Sequence, residues 1–341
     1  MNKVITILFL LTILTSCLSE KKEIKSFPSK KNAIEIDSIT VTYTELDSKI
    51  RQELFDELNR IYTIRKVASE EIVKDKVLEL EATKNKIDVS KLTQNLYLSK
   101  INKTSLDLFI KRNQYETKIN ALERGLIAYA SESKKGKELI LQRFKYYILN
   151  QYVDSLKTKY NVKTLLKPPN SPVIKINDLI TYYKGNLDSN ITFLQISDLE
   201  CEMCREYAPI FNDLYLKYKK DVRFAFTQYG SHTSLSARAL QSAGNQGKFW
   251  EMYDSIAYNK KLPQKEDILK IAQNIQLNLT QFNNEIESEV TKTALEDNFL
   301  KLNTAGIYGT PTIMINNKLI YKSSSIEDIE KMLIEEIKNT H

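Results

Sequence analysis

The sequence predicts two unlike parts, a mostly α-helical region followed by an α/β domain. Three observations lead there. From Ser29 to Lys167 there is no proline and there are only two glycines, Gly125 and Gly136. Both residue types are disfavoured inside helices, so their scarcity over this length reads as helix. Six of the seven prolines and six of the eight glycines fall from Pro168 onward, the punctuation of strands, turns and shorter helices. The apolar runs Ile191–Ser197 and Ile313–Ile315 have the near-continuous character of buried strands, with helical periodicity between them.

Composition agrees and narrows the function classes. A chain of 341 residues fits about two domains, and 42% hydrophobic with 27% charged residues is globular. The net charge is +7, but no run of Lys or Arg exceeds two residues. No nucleic-acid stripe or polybasic membrane patch is expected. Three cysteines are too few for a disulfide-stapled scaffold, and two histidines, His232 and His341, leave little for a metal site.

Taken in order, the chain opens with a short basic head at Lys3 and an apolar core from Val4 to Leu14. That core is shorter than the ~20 residues a spanning helix needs and fits an export signal. Leu14-Thr15-Ser16-Cys17 resembles the lipobox of bacterial lipoproteins. The resemblance implies cleavage before Cys17, acylation of its thiol and a membrane anchor. Residues 1–16 are then the signal and 17–33 a polar, flexible tether containing Pro28.

Residues 34–166 are expected to form the helical domain, opening with a small hairpin at Ile34–Val41. Thr44 reads as a helix N-cap, with Asp47 three residues on. Leu46, Ile50, Leu54, Leu58 and Ile61 then mark one helix face. A second helix carries Ile72, Val73, Val77, Leu80 and Ala82, and further helices are predicted over about 91–101, 105–133 and 137–160. Ile36-Asp37, Ile39-Thr40 and the step Lys86-Ile87-Asp88-Val89-Ser90 resemble the N-terminal region of SurA-type periplasmic chaperones. The region holds no Cys, no His and no catalytic constellation. A surface for unfolded polypeptide, a contact for a second copy and a plain spacer remain open for it.

Pro168, Pro169 and Pro172 stiffen a linker at 167–172, and 173–341 form the last domain. The strand Ile191–Ser197 leads through Asp198-Leu199-Glu200 into Cys201-Glu202-Met203-Cys204, where a helix should begin. A thiol at a helix start faces unpaired amides and the positive end of the helix dipole, which favour the thiolate nucleophile. The second cysteine lies one turn deeper, placed to attack a mixed disulfide. The spacing also suits structural zinc or a structural disulfide. Zinc would need two more ligands, from His232, His341 or carboxylates.

Cys201-Glu202-Met203-Cys204 after a strand and an aspartate resembles the active site of DsbA-like thioredoxin-fold oxidoreductases. Gln246-Gly247-Lys248-Phe249-Trp250 is similar to a segment of their helical insertion, and Gly306-Ile307-Tyr308-Gly309-Thr310-Pro311-Thr312 to their cis-proline loop. The resemblance implies a thioredoxin fold with a helical insertion. It also implies a cis peptide bond before Pro311, with the Thr310 backbone free to pair with an extended substrate. Val222–Phe226 reads as a further strand, Asn316-Asn317 as a tight turn, and Trp250 as a packed core residue. His232 is expected in a loop, as a structural hydrogen-bonding group or a proton-transfer group.

One departure bears on redox strength. Strong oxidants of that family carry histidine just before the second cysteine, where this chain has Met203. Glu200 and Glu202 flank Cys201, and negative charge disfavours a thiolate. The expectation is a weaker oxidant than the strongest members.

The function expected is a membrane-anchored, extracytoplasmic thiol:disulfide oxidoreductase of uncertain direction. Cys201 and Cys204 would carry exchange, and Thr310 and Pro311 would position substrate. No metal or cofactor is expected beyond the Cys201–Cys204 disulfide itself. Expected partners are unfolded or cysteine-containing exported proteins, a redox partner protein, the membrane through the lipid anchor and, in a homodimer, a second copy. The alternative is a lipid-tethered holdase that binds unfolded chains through the helical domain.

Overall fold

Side-chain caps set the first helix starts. The structure is a computed structural model that describes residues 31–113, 134–230, 234–259 and 261–340. Strands β1 (Asn32–Ile36) and β2 (Ile39–Thr42) pair antiparallel, as the hairpin expectation requires. Helix α1 (Tyr43–Lys49) then starts on Thr42, not Thr44. Thr42 and Glu45 form a capping box, in which each side chain accepts from the other's backbone N–H. That reciprocal pair satisfies two otherwise unpaired amides at the start of the helix.

Helix α2 (Arg51–Lys84) is continuous over 34 residues, where two helices are expected from the sequence. The break lies earlier, at Ile50, whose φ of −126° ends α1. Between Arg51 and Lys84 no glycine or proline interrupts the backbone hydrogen bonds. The predicted lipid attachment at Cys17, the signal, most of the tether, His232, His341 and much of the helix expected at 105–133 lie outside the described residues.

The chain divides into two compact units, residues up to Leu54 together with Val173 onward, and Phe55–Pro172. In the second, α2 is followed by α3 (Val89–Lys100), α4 (Lys103–Asn113) and α5 (Lys134–Lys159). Val77, Leu78 and Ala82 pack with Leu92, Val153 and Leu156, while Phe109, Ile140 and Phe144 form a second cluster. Glu81 is buried beside them and accepts hydrogen bonds from Lys159, Tyr160 and Asn85.

The first unit holds a five-stranded sheet, ordered β3-β5-β4-β6-β7. Its strands are β3 (Thr181–Gly185), β4 (Thr192–Ser197), β5 (Arg223–Gln228), β6 (Thr312–Ile315) and β7 (Lys318–Leu319). β4 and β5 are parallel and the other pairs antiparallel. Helix α6 (Glu202–Tyr218) is the crossover between the parallel strands. Helices α7 (Leu235–Asn245), α8 (Phe249–Ala257), α9 (Lys265–Asn274), α10 (Leu279–Glu287) and α11 (Glu289–Thr304) lie between β5 and β6. Helix α12 (Ile326–Thr340) closes the chain.

Among the described residues, two apolar clusters lie on this sheet. Phe193, Phe211, Phe224 and Leu333 centre one, and Leu199, Phe226, Met252 and Phe282 the other. Trp250 packs edge-on against Phe249 and donates to the Tyr183 carbonyl at 3.1 Å, so its place is structural. The β6–β7 turn uses Asn316 and Asn317 at φ of 50° and 63°, a left-handed pair that suits asparagine in a two-residue hairpin. Edge strand β3 has no counterpart among the sequence expectations. Its Tyr182 stacks on Phe249 with ring centroids 3.8 Å apart.

Candidate functional site

The site grows from the end of β4. Ser197 is fully buried at the last position of that strand, and the chain turns through Asp198, Leu199 and Glu200. The Cys201 N–H donates to the Asp198 carbonyl at 3.1 Å, which closes the turn. Cys201 is then the N-cap of α6, with extended φ of −76° and ψ of 121° and no side-chain oxygen capping the helix. The first amides of α6 therefore lack an intrahelical partner and lie beside a sulfur.

The two cysteines differ sharply in environment. Cys201 is partly exposed, whereas Cys204, one turn on, is completely buried. Burial pushes the Cys204 thiol up to about 11, against the opposing pull of the Ser197 and Thr310 hydroxyls and the Asp198 backbone. The neighbouring Cys201 thiol pushes in the same direction as burial. Burial thus favours the protonated thiol at Cys204. Cys201 is left as the sulfur with both access and a helix N-terminus.

The loop after α11 meets the cysteines from the other side. The Thr310–Pro311 peptide bond is cis, as the family resemblance implies. The Thr310 hydroxyl lies by Cys204. A cavity of about 610 Å³ opens alongside, lined by Met203, Tyr207, Tyr308, Pro311, Ile320 and Lys322. Met203 is 54% exposed at its rim, so this side chain forms wall and not core.

The flanking acids part company. Glu202 is exposed in the first turn of α6. Glu200 turns toward α7, where it accepts from Ser234 Oγ at 2.8 Å and from the Ser236 N–H at 3.4 Å. Its charge is thus spent on a second helix N-terminus. Beneath them Asp198 accepts from the Glu200 N–H at 3.0 Å and from Gln228 Nε2 at 3.2 Å. Burial raises the Asp198 carboxyl above its usual range, partly opposed by those hydrogen bonds. Gly230 makes room for this group, since a Cβ there would lie 2.6 Å from Gln228 Nε2.

The residues singled out from the sequence in the α/β domain thus come together: Cys201, Cys204, Thr310 and Pro311, with Glu200, Glu202 and Met203 around them. Sequence reasoning gave no role to two others, Gln228 and Gln52, and used Asp198 only as part of the family motif. Asp198 and Gln228 sit at the carboxyl ends of neighbouring strands, where doubly wound and thioredoxin-type sheets carry their sites. Gln52 reaches the loop from 256 residues away and carries no local signal. Among the described residues, no group of three or more His, Cys, Asp or Glu side chains is placed to hold a metal ion.

Residues 177–335 match the Thioredoxin family. They form a thioredoxin-like domain. Solved structures of similar fold include the thiol-disulfide exchange protein alpha-DsbA2 of Wolbachia pipientis, 21% identical, covering 47% of this chain and 89% of that one with a TM-score of 0.41. Oxidised BdbD of Bacillus subtilis is 22% identical over 50% of this chain and 98% of its own, with a TM-score of 0.42. Among curated proteins, an Na(+)/H(+) antiporter NhaA of Herminiimonas arsenicoxydans is 23% identical over 171 residues. The aligned part is 50% of this chain and 27% of that antiporter. Antiporter NhaA 1 of Salinispora arenicola matches over 43% of this chain and 23% of its own length, again at 23% identity. The chain therefore spans only about a quarter of the curated relatives it matches. No helix among the described residues is long and apolar enough to cross a membrane.

Proposed function

We propose that the protein is an extracytoplasmic thiol:disulfide oxidoreductase, held at a membrane by a lipid on Cys17, that exchanges disulfides with exported proteins. The observation that carries the exchange reading is the asymmetry of the cysteine pair. Cys201 is accessible at a helix N-terminus, while Cys204, three residues on in the same helix, is a buried thiol.

The chemistry balances without a metal or a bound cofactor. The Cys201 thiolate attacks one sulfur of a substrate disulfide. A Cys201–substrate bond forms, and the other substrate sulfur leaves as a thiolate. Cys204, losing its proton, then attacks the Cys201 sulfur. The Cys201–Cys204 disulfide forms and the second substrate thiol is released. The substrate gains two electrons and the protein loses two. Run backward, the same steps oxidise a substrate dithiol, and a redox partner protein resets the pair. Thr310 and Pro311 hold the substrate strand beside the cysteines, through the backbone groups of Thr310. The upstream sequence Leu14-Thr15-Ser16-Cys17 supports the anchor and the extracytoplasmic location.

The deciding experiment replaces Cys204 with alanine, which removes the resolving thiol. Mixed disulfides to Cys201 should accumulate in cells, and they should be absent from a Cys201→Ala variant. A wild-type protein that neither oxidises nor reduces a cysteine-containing peptide sinks the proposal. A holdase role for the helical region is a second reading, favoured by the exposed Leu58, Ile61, Ile64, Val67 and Ile72 of α2. Aggregation protection that survives in a Cys201→Ala/Cys204→Ala variant is its expected signature.

A further inference from the structure

The segment ahead of the second unit touches the substrate loop at four points. The Gln52 N–H donates to the Gly306 carbonyl at 3.0 Å. Arg51 Nη1 donates to the Ala305 carbonyl at 3.2 Å. The Tyr308 N–H donates to Gln52 Oε1 at 2.9 Å, and Gln52 Nε2 donates to Thr312 Oγ1 at 2.6 Å. Gly306 allows the approach, with φ of +83° and a would-be Cβ only 2.7 Å from the Arg51 nitrogen.

The Gln52 amide is the centre of this seam. It is 4% exposed, and both of its ends are committed. Tyr308 offers a backbone N–H, which can only donate, so Oε1 faces it. Thr312 Oγ1 donates its single proton to the Gly309 carbonyl at 2.7 Å and therefore accepts from Nε2. One side chain thus pins the loop at Tyr308 and at Thr312, on either side of Thr310 and Pro311. First-turn helix amides need partners outside their helix, and here the loop supplies one. Gln52 also lines the cavity that holds Met203, Tyr207 and Pro311.

We propose that Gln52 is a positioning residue for the substrate loop, so that the chain ahead of the thioredoxin-like domain is a working part of the redox site. The inference rests on the exchange reading above. Gln52 touches neither cysteine. It acts by holding residues 308–312 in the shape that receives a peptide strand. Without it the Tyr308 N–H and the Thr312 hydroxyl lose a buried partner, and a binding peptide must order the loop itself. A small disulfide that needs only the Cys201 sulfur is spared that cost.

The test uses the full chain, with Gln52→Leu and Gln52→Glu variants. Leucine removes both hydrogen bonds. Glutamate keeps the acceptor for Tyr308 and loses the donor to Thr312. Exchange is measured with a short cysteine-containing peptide and with glutathione disulfide. Peptide KM should rise about tenfold for Gln52→Leu and by less for Gln52→Glu, with peptide kcat and the glutathione rate unchanged. An unchanged peptide KM in folded variants overturns the proposal, as does a glutathione rate that falls in parallel. A wild type that exchanges with neither substrate defeats the exchange reading instead. A measurement on the wild type keeps the proposal exposed if the variants do not fold. The Tyr308 amide should exchange with solvent as slowly as the amides of β6, and exchange at an open-loop rate rules the clamp out.

Discussion

Glu200 accepts a hydrogen bond from Ser234 Oγ at 2.8 Å, which ties the turn before Cys201 to the N-terminus of α7. This contact changes what an acidic flank means for the redox pair. A carboxylate engaged by a hydroxyl, an amide and a helix dipole acts on Cys201 far less than a free one. Glu200→Ala is therefore expected to cost stability more than redox strength. The loss should be about 1 kcal/mol, seen as a melting shift of about 2–4 °C. The potential, read by equilibration with glutathione, should move by less than about 30 mV.

If the pair exchanges disulfides as proposed, Met203 is the position where a substitution should move its potential most. It stands at the rim of the cavity in the first turn of α6, one residue before the buried Cys204. Met203→His puts a donor and a partial positive charge beside the Cys201 sulfur. This stabilises the reduced form and makes the protein a better oxidant. The potential should rise by about 30 mV or more, a tenfold or larger change in the equilibrium with glutathione. A value equal to wild type would show that the position does not tune the pair.

Asp198 is held above its usual range by burial, so the folded state binds its proton more tightly than the unfolded chain does. Stability is therefore lost as pH rises from the unfolded value of 3.8 through the folded one. Asp198→Asn removes that loss, and its amide still offers an acceptor to the Glu200 N–H and Gln228 Nε2. The variant should melt higher than wild type at neutral pH and lose this advantage below pH 3.8. Thermal melts across that range check it.

Glu81 behaves in the opposite sense. Hydrogen bonds from Lys159 and Tyr160 lower its carboxyl from 4.5 to about 2. Its contribution is complete above pH 4.5 and disappears as pH falls through about 2. Glu81→Gln should destabilise the helical unit by about 2 kcal/mol at neutral pH. It should also flatten the acid dependence of denaturant unfolding over that window, where wild type declines.

What was legible in the sequence is local. Cys201 and Cys204 sit one turn apart because the chain there can only be a strand followed by a helix start. Gly309-Thr310-Pro311 was legible through its likeness to the cis-proline loop of a known family, with the neighbouring glycines in support. The error at Thr44 shows the limit of even local reading. Both Thr42 and Thr44 can cap, and the choice fell to the residue three positions on that can reach back, Glu45. Strand β3 escaped because an edge strand needs no alternating pattern. Its Tyr182 and Lys184 are placed by Phe249 and by Trp250, whose ring lies 4.0 Å from the Lys184 ammonium.

The sequence by itself determined the two-part plan, the helix start that carries the cysteines and the turn that carries Pro311. Each depends on residues within a few positions of one another, where backbone preference and hydrophobic period act directly. Tertiary structure decided which partners those pieces found. It buried Cys204 and left Cys201 open, turned Glu200 toward Ser234 and brought Gln52 to Tyr308 and Thr312. Burial and hydrogen-bond pairing across 30 to 260 positions leave no periodic trace in a chain, because any exposed polar residue could have made the contact until the fold chose one.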